Sequence, residues 1–317
     1  MSQALAFAVL AGILSGGLIM LPLIGPLAFF LAYLAPLPLL LVGLTMGGPA
    51  AMIAAVAAGL VVALIIGLLP ALVISVTLAA PSWFIVRQAL LSRQDNGSIV
   101  WFPAGLLLSQ LTALALFGVA LAFILFLGQE GGLVGALETG LVDMIKMVGE
   151  AADHPSIDPA AVQPLMIVLE AWKDQASIIP AQAAASWLVM MVLNTVIAQA
   201  IAVRVGWNRR PSPVFSELEL PLWLWPLMAA ALFLTLIGGT GLSALGSSAL
   251  IVLVTPFAFL GLAVIHKLAD RWPRRRMGLV TVYVAIVVFN FAFQWPILPI
   301  IVAVGLVENW AHLRRYL

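Results

Sequence analysis

The chain has 317 residues, of which 64% are hydrophobic and 9% charged, and its formal net charge is +1. A soluble domain carries ~25% charged residues, so a water-soluble fold of this length could not hide so much apolar surface. The near-neutral charge argues against a nucleic-acid partner, and the lack of cysteine excludes disulfides, thiolate metal sites and a cysteine nucleophile.

A helix needs ~20 apolar residues to cross a bilayer. In chain order, the first apolar run covers about 3–21 and ends at Leu21-Pro22. It lacks the basic leader of a cleaved signal peptide and reads as a retained span. The second, about 24–44, contains Pro36 and Pro38. Two prolines so close remove backbone donors, which predicts a kink or a partly unwound stretch. The third runs from Gly48-Pro49 to about Leu69, and the fourth from near Pro70 to Arg87. A short polar loop, SRQDNGS, follows. The fifth span is about 104–128, the sixth 178–203, the seventh 221–238 and the eighth 247–266. The last apolar stretch, 278–307, is too long for one span, and Gln294-Trp295-Pro296 divides it into two. The expectation is an all-α polytopic membrane protein of about ten spans, with eight or nine as the fallback. It divides into an N-terminal membrane bundle (1–128), an extracytoplasmic helical segment (129–177) and a C-terminal membrane bundle (178–317).

Of the 14 Lys and Arg, 12 fall in four clusters: Arg87/Arg93, Arg204/Arg209/Arg210, Lys267 to Arg276, and Arg314/Arg315. The positive-inside rule puts these clusters in the cytoplasm. Two spans separate neighbouring clusters, so one topology satisfies them all, with both termini cytoplasmic. Residues 129–177 then lie outside, with eight acidic residues against Lys146 and Lys173. Within 133–152, Val134, Leu137, Leu141, Ile145 and Val148 recur at helical spacing, opposite Thr139, Asp143, Lys146, Glu150 and Asp153. Asp158-Pro159 reads as an N-cap and first helical residue. Leu165, Val168, Leu169 and Trp172 give the second helix its apolar face. The two helices are expected on the outer membrane surface or capping the bundle.

Ala4, Ala8, Gly12 and Gly16 recur every four residues on the first span, as Ala51, Ala55 and Gly59 do on the third. Such strips let a second helix backbone approach closely, either within the chain or from a partner subunit. The Gly-rich segment 238–248 lacks the lysine of a phosphate loop and reads as a turn. Uncharged polar residues within spans face the bundle interior. Gln110, Asn194, Gln199, Asn290 and Gln294 are therefore candidates to line a substrate cavity, or else to join helices by hydrogen bonds. Glu308 stands near the end of the last span. His154, His266 and His312 have no ligand-spaced neighbours, and no nucleophile or metalloprotease motif occurs. The pattern calls for no metal, no cofactor and no catalytic residues. The basic cluster at 266–276 sets topology or meets anionic lipid headgroups.

Residues 31–65, LAYLAPLPLLLVGLTMGGPAAMIAAVAAGLVVALI, resemble the N-terminal half of the substrate-binding S-components of energy-coupling-factor vitamin transporters. The resemblance covers about the first 90 residues and implies that the strip on the first span docks a coupling subunit. S-components usually have six spans, which this chain exceeds. The later hairpins and the ending VGLVENWAHLRRYL are similar to the YybS-like family of uncharacterised bacterial inner-membrane proteins, with Gly305, Glu308 and Arg314 in its C-terminal motif. Together these features lead to two expectations. One is a non-enzymatic protein that binds or helps transport a small apolar or lipid-like molecule. The other is a membrane-embedded scaffold or assembly factor for partner membrane proteins.

Overall fold

A computed structural model describes residues 3–23, 29–152, 159–291 and 297–315. The described chain is almost wholly helical, as its composition requires. The helices are α1 (Gln3–Met20), α2 (Phe29–Ala32), α3 (Pro36–Met46), α4 (Gly48–Ile65), α5 (Leu68–Ile74) and α6 (Ala80–Ala89). A hairpin of β1 (Ser92–Asp95) and β2 (Ser98–Trp101) follows. Then come α7 (Ala104–Leu125), α8 (Gly132–Ala152), α9 (Pro159–Asp174), α10 (Ile179–Val205), α11 (Leu224–Ile237), α12 (Thr240–Ala269), α13 (Arg275–Phe291) and α14 (Ile297–Ala311). Among the described residues, six segments are long and apolar enough to cross a membrane: Gln3–Met20, Gly48–Ile65, Leu68–Ala89, Ala104–Leu125, Ala176–Val205 and Gly241–Ala269. Phe30–Met46, Leu224–Ile237 and Ile297–Ala311 are shorter apolar helices.

The chain divides into two compact units. Unit 1 comprises Met1–Leu111, Leu188–Pro221 and Leu260–Leu317; unit 2 comprises Thr112–Trp187 and Leu222–Phe259.

In unit 1, α1 packs on α4. A side chain at Gly12 would collide with the Ala54 carbonyl and the Ala57 methyl, and one at Gly16 with Val61 and, at 3.3 Å, the Ala58 carbonyl. The contacts advance together along both helices, so α1 and α4 run parallel. The small-residue strip thus serves packing within the chain: Ala8, Gly12 and Gly16 are buried against α4, and only Ala4 is exposed. The second span breaks at Tyr33–Ala35, immediately before Pro36, and restarts as α3. Pro81 cannot donate to the carbonyl of residue 77, and the preceding Ser75–Ala79 widens into a π turn that joins α5 to α6.

The stretch SRQDNGS, which reads as a loop, is a β-hairpin. Asn96 and Gly97 both have positive φ (47° and 82°), the conformation a tight two-residue hairpin turn needs, and Ser92 pairs with Trp101 at its base. Helix α10 ends at Gly206, whose φ of 79° lets Trp207 N–H reach the Ala202 carbonyl at 2.9 Å.

In unit 2, Ala115, Val119 and Phe123 of α7 pack with Leu133 and Val252. The apolar seams of α8 and α9 close on each other through Leu141, Leu169 and Ala176, so the amphipathic helices expected in this segment form and pair. The reading of 238–248 as a turn needs correction. Only Gly238 and Gly239 turn the chain; α12 already begins at Thr240. The small residues there serve close helix packing. A side chain at Gly246 would press on Thr235 N and the Ala231 carbonyl of α11, and Ser243 Oγ donates to the Thr235 carbonyl at 2.9 Å.

Candidate functional site

Two polar constructions stand out in unit 1. The first is a strap, residues 206–221, held at one end of the unit. Its consecutive arginines close two helix ends. Arg209 Nε donates to the Thr45 carbonyl at the end of α3, at 3.0 Å. Arg210 Nη1 donates to the Ala89 carbonyl, the last of α6, at 2.8 Å, and to the Phe102 carbonyl at 3.4 Å. Helix C-termini leave unpaired carbonyls and a partial negative charge, which a guanidinium satisfies on both counts. Arg210 is only 7% exposed and lies over the Trp101 ring, at 5.7 Å from its centroid. Burial pulls its pKa below the usual arginine value, yet a guanidinium stays protonated in proteins. Its own carbonyl accepts from Gln199 Nε2 and Asn208 Nδ2, both at 2.9 Å.

The far part of the strap is held by the C-terminal segment. Glu308, 2% exposed, accepts from Arg314 Nε at 2.7 Å and from Arg314 N at 3.0 Å. The same guanidinium donates to the carbonyls of Ser216 at 2.6 Å and Leu218 at 2.8 Å. Asn309 donates to the Leu220 carbonyl at 2.9 Å. A side chain at Gly105 would collide with the Glu219 carbonyl, so glycine lets the strap lie directly on the start of α7. Phe215 meets His266 edge to face at 4.9 Å, and His266 Nε2 lies 3.0 Å from the Tyr283 hydroxyl.

These contacts bring all four basic clusters to one end of unit 1. That end also holds the start of α4 and therefore, since the two run parallel, the start of α1. The end of α14 is there as well. Two shallow clefts open beside the strap. One of about 360 Å³ is lined by Leu90, Trp101 and Arg209; the other, of about 220 Å³, lies between Phe102–Gly105 and Glu217–Glu219.

The second construction is the helix break. At Tyr33–Ala35 the backbone leaves the α-helical ladder, and side chains from other helices donate to the freed carbonyls. Ser15 Oγ donates to the Ala35 carbonyl at 2.7 Å. Asn194 Nδ2 donates to the Tyr33 carbonyl at 2.8 Å and to Met190 of its own helix. Asn194 is 2% exposed, and its Oδ1 has no hydrogen-bond partner among the described residues.

Three of the sequence candidates have separate hydrogen-bond partners. Asn194 is at the break and Gln199 under the strap. Gln110 accepts from Gln88 Nε2 at 3.1 Å, between α7 and α6. Asn290 is on α13, and Gln294 lies outside the described residues. Gln110, Asn194 and Gln199 each bond a different partner: Gln88, the Tyr33 carbonyl and the Arg210 carbonyl. In the C-terminal set, Glu308 and Arg314 pair directly, and Gly305 is buried one turn earlier on α14. Among the described residues, no three His, Asp or Glu side chains come together as a metal site.

A family model described as "Predicted membrane protein (DUF2232)" matches residues 9–308. The chain belongs to this family. No curated protein and no solved structure matches it. The family's description agrees with the apolar helices described above, and its matched region spans Gly12 and Gly16 of the strip on α1, the break, the strap and Glu308; Ala4 and Ala8 precede it. Arg314 lies just beyond it.

Four contributors are absent from the sequence candidates: Ser15, Arg209, Arg210 and Asn309. The arginines read as topology signals, and their second role as helix caps depends on partners more than 100 residues away. Asn309 next to Glu308 near the end of an apolar run is a signal that a search for polar residues within spans can find.

Proposed function

We propose that this is a non-enzymatic bacterial inner-membrane protein that binds a small, mostly apolar or lipid-like molecule at the break in its second span and supports its transport. It has about ten spans, with the strapped end of unit 1 in the cytoplasm. The observation that carries the reading is Asn194. A buried amide oxygen without a hydrogen bond is costly, about 1–3 kcal/mol, and is retained where something else meets it. It sits at a broken helix, where unwound backbone in membrane proteins commonly lines a ligand site. The basic clusters support the orientation, because Lys and Arg concentrate on the cytoplasmic side. The resemblance to S-components and to the YybS-like family belongs to this proposal and is consistent with the broken second span.

The test is a melting screen of the purified chain against vitamins and lipid precursors, repeated with Asn194→Leu and Gln110→Leu. The reading expects one ligand class to raise the melting temperature of the natural chain and of Gln110→Leu, with the rise lost in Asn194→Leu. A panel that shifts none of the three, or a shift retained in Asn194→Leu, overturns it.

A further inference from the structure

The seam between α8 and α9 does not use all of their apolar surface. Leu141, Leu169 and Ala176 meet there, with Val134, Leu137, Ile145 and Val148 against them. A second flank remains outside. On α8 it carries Met144 and Met147, 45% and 60% exposed; on α9 it carries Leu165, Val168 and Trp172, 46%, 43% and 55% exposed. At ~100° per residue, Met144 and Met147 turn away from Leu141 in the same sense as Leu165, Trp172 and Val168 turn from Leu169. The helices run back along each other, because only six residues join them, too few to reach back to the start of α8, and their apolar residues meet in one seam. In an antiparallel pair, the same sense of rotation from each seam leads to the same broad side. All five apolar residues therefore share one side. Lys146 and Glu150 of α8 and Glu170 and Asp174 of α9 turn toward the other, and Asp143 stands at the border.

We propose that this side of the α8–α9 hairpin lies in the lipid interface, inserted at the boundary between headgroups and acyl chains. Continuity with the spanning helices selects lipid as the occupant. The apolar segment Ala176–Val205 starts two residues after α9, and α8 starts seven residues after the end of α7. The hairpin is thus tethered at the bilayer surface at both ends. Trp172 stands one turn before the spanning segment, at the level where tryptophan rings favour the interface. An amphipathic element with an uncharged face binds through its buried apolar area. The acidic residues 129–177 carry toward water make anionic headgroups unnecessary. The proposal is independent of the ligand at Asn194.

The chain has no cysteine, so single substitutions report without background. Met147→Cys, Val168→Cys, Lys146→Cys and Glu170→Cys are each spin-labelled in the full chain. The labelled protein is reconstituted in phosphatidylcholine vesicles, with a parallel set containing phosphatidylserine. Collision rates with oxygen, which concentrates in lipid, and with a water-soluble nickel chelate are then measured. The expected result is oxygen access several-fold above nickel access at 147 and 168, the reverse at 146 and 170, and no change with phosphatidylserine. Equal access on both sides overturns the proposal in favour of a solvated hairpin. Exclusion of both reagents at 147 and 168 overturns it in favour of a protein partner. Lipid access that appears only with phosphatidylserine overturns the apolar mechanism.

Discussion

Replacing Arg314 with leucine tests the clasp that holds the strap. The change strands Glu308, 2% exposed, without its cation and removes the donors to the Ser216 and Leu218 carbonyls. Breaking a buried ion pair by deleting one partner costs about 3–5 kcal/mol, mostly because the other charge stays buried. Deleting both partners removes that stranded charge and leaves only the loss of the carbonyl donors, about 1–3 kcal/mol. The double variant Glu308→Leu/Arg314→Leu is therefore expected to be more stable than Arg314→Leu alone, by roughly 2 kcal/mol. At about 1.5 °C per kcal/mol for a chain of this length, Arg314→Leu lowers the melting temperature by at least about 4 °C. Tryptophan fluorescence melts in detergent, with limited proteolysis of residues 206–221 alongside, read both effects. An Arg314→Leu melt within about 1 °C of the natural chain, or a double variant less stable than the single one, would refute the reasoning.

Other consequences follow from the same contacts. Gly12→Leu drives a side chain into the Ala54 backbone, so α1 separates from α4 and the chain loses stability by more than Gly17→Leu, which meets open space; paired melts compare them. Ser15→Ala removes the donor to the Ala35 carbonyl at the break and is expected to cost about 1–3 kcal/mol, read by the same melt. Arg210→Met uncaps α6 and releases the hairpin base, so protease sensitivity rises in 90–103 and in 206–221 together, as mass spectrometry of the fragments would show. Gly97→Val forces a branched residue to φ near +82° and costs about 1 kcal/mol or more, with proteolysis confined to 92–101.

Much of this fold is legible in the chain because lipid imposes a simple rule on it. Apolar length marks the helices, and the prolines at 36 and 38 mark the break that the structure shows at Tyr33–Ala35. The spacing of Leu137, Leu141, Ile145 and Val148 marks one wall of the α8–α9 seam. Where one residue type serves two purposes, the sequence is ambiguous. The glycines at 238–248 fit a turn equally well, but Gly246 is there to let α11 approach. The strip on α1 fits a partner as well as α4, and the choice lies in Ala54 and Ala58, which no pattern within α1 reveals. Asn96-Gly97 carries the hairpin signal openly, yet its short polar strands lack the alternation that marks a sheet. The roles of Arg209, Arg210 and Asn309 depend on distant carbonyls, and a carbonyl has no signature in sequence.

The proposed topology rests on the distribution of charge along the chain, which puts residues 206–221 in the cytoplasm and residues 129–177 outside. Gln94→Cys, Val214→Cys and Glu138→Cys, each the sole thiol in the chain, can be labelled in intact cells and in inverted vesicles with a reagent that does not cross the bilayer. The account predicts that positions 94 and 214 react only in inverted vesicles and position 138 only in intact cells. Reaction of positions 138 and 214 from the same face would contradict it.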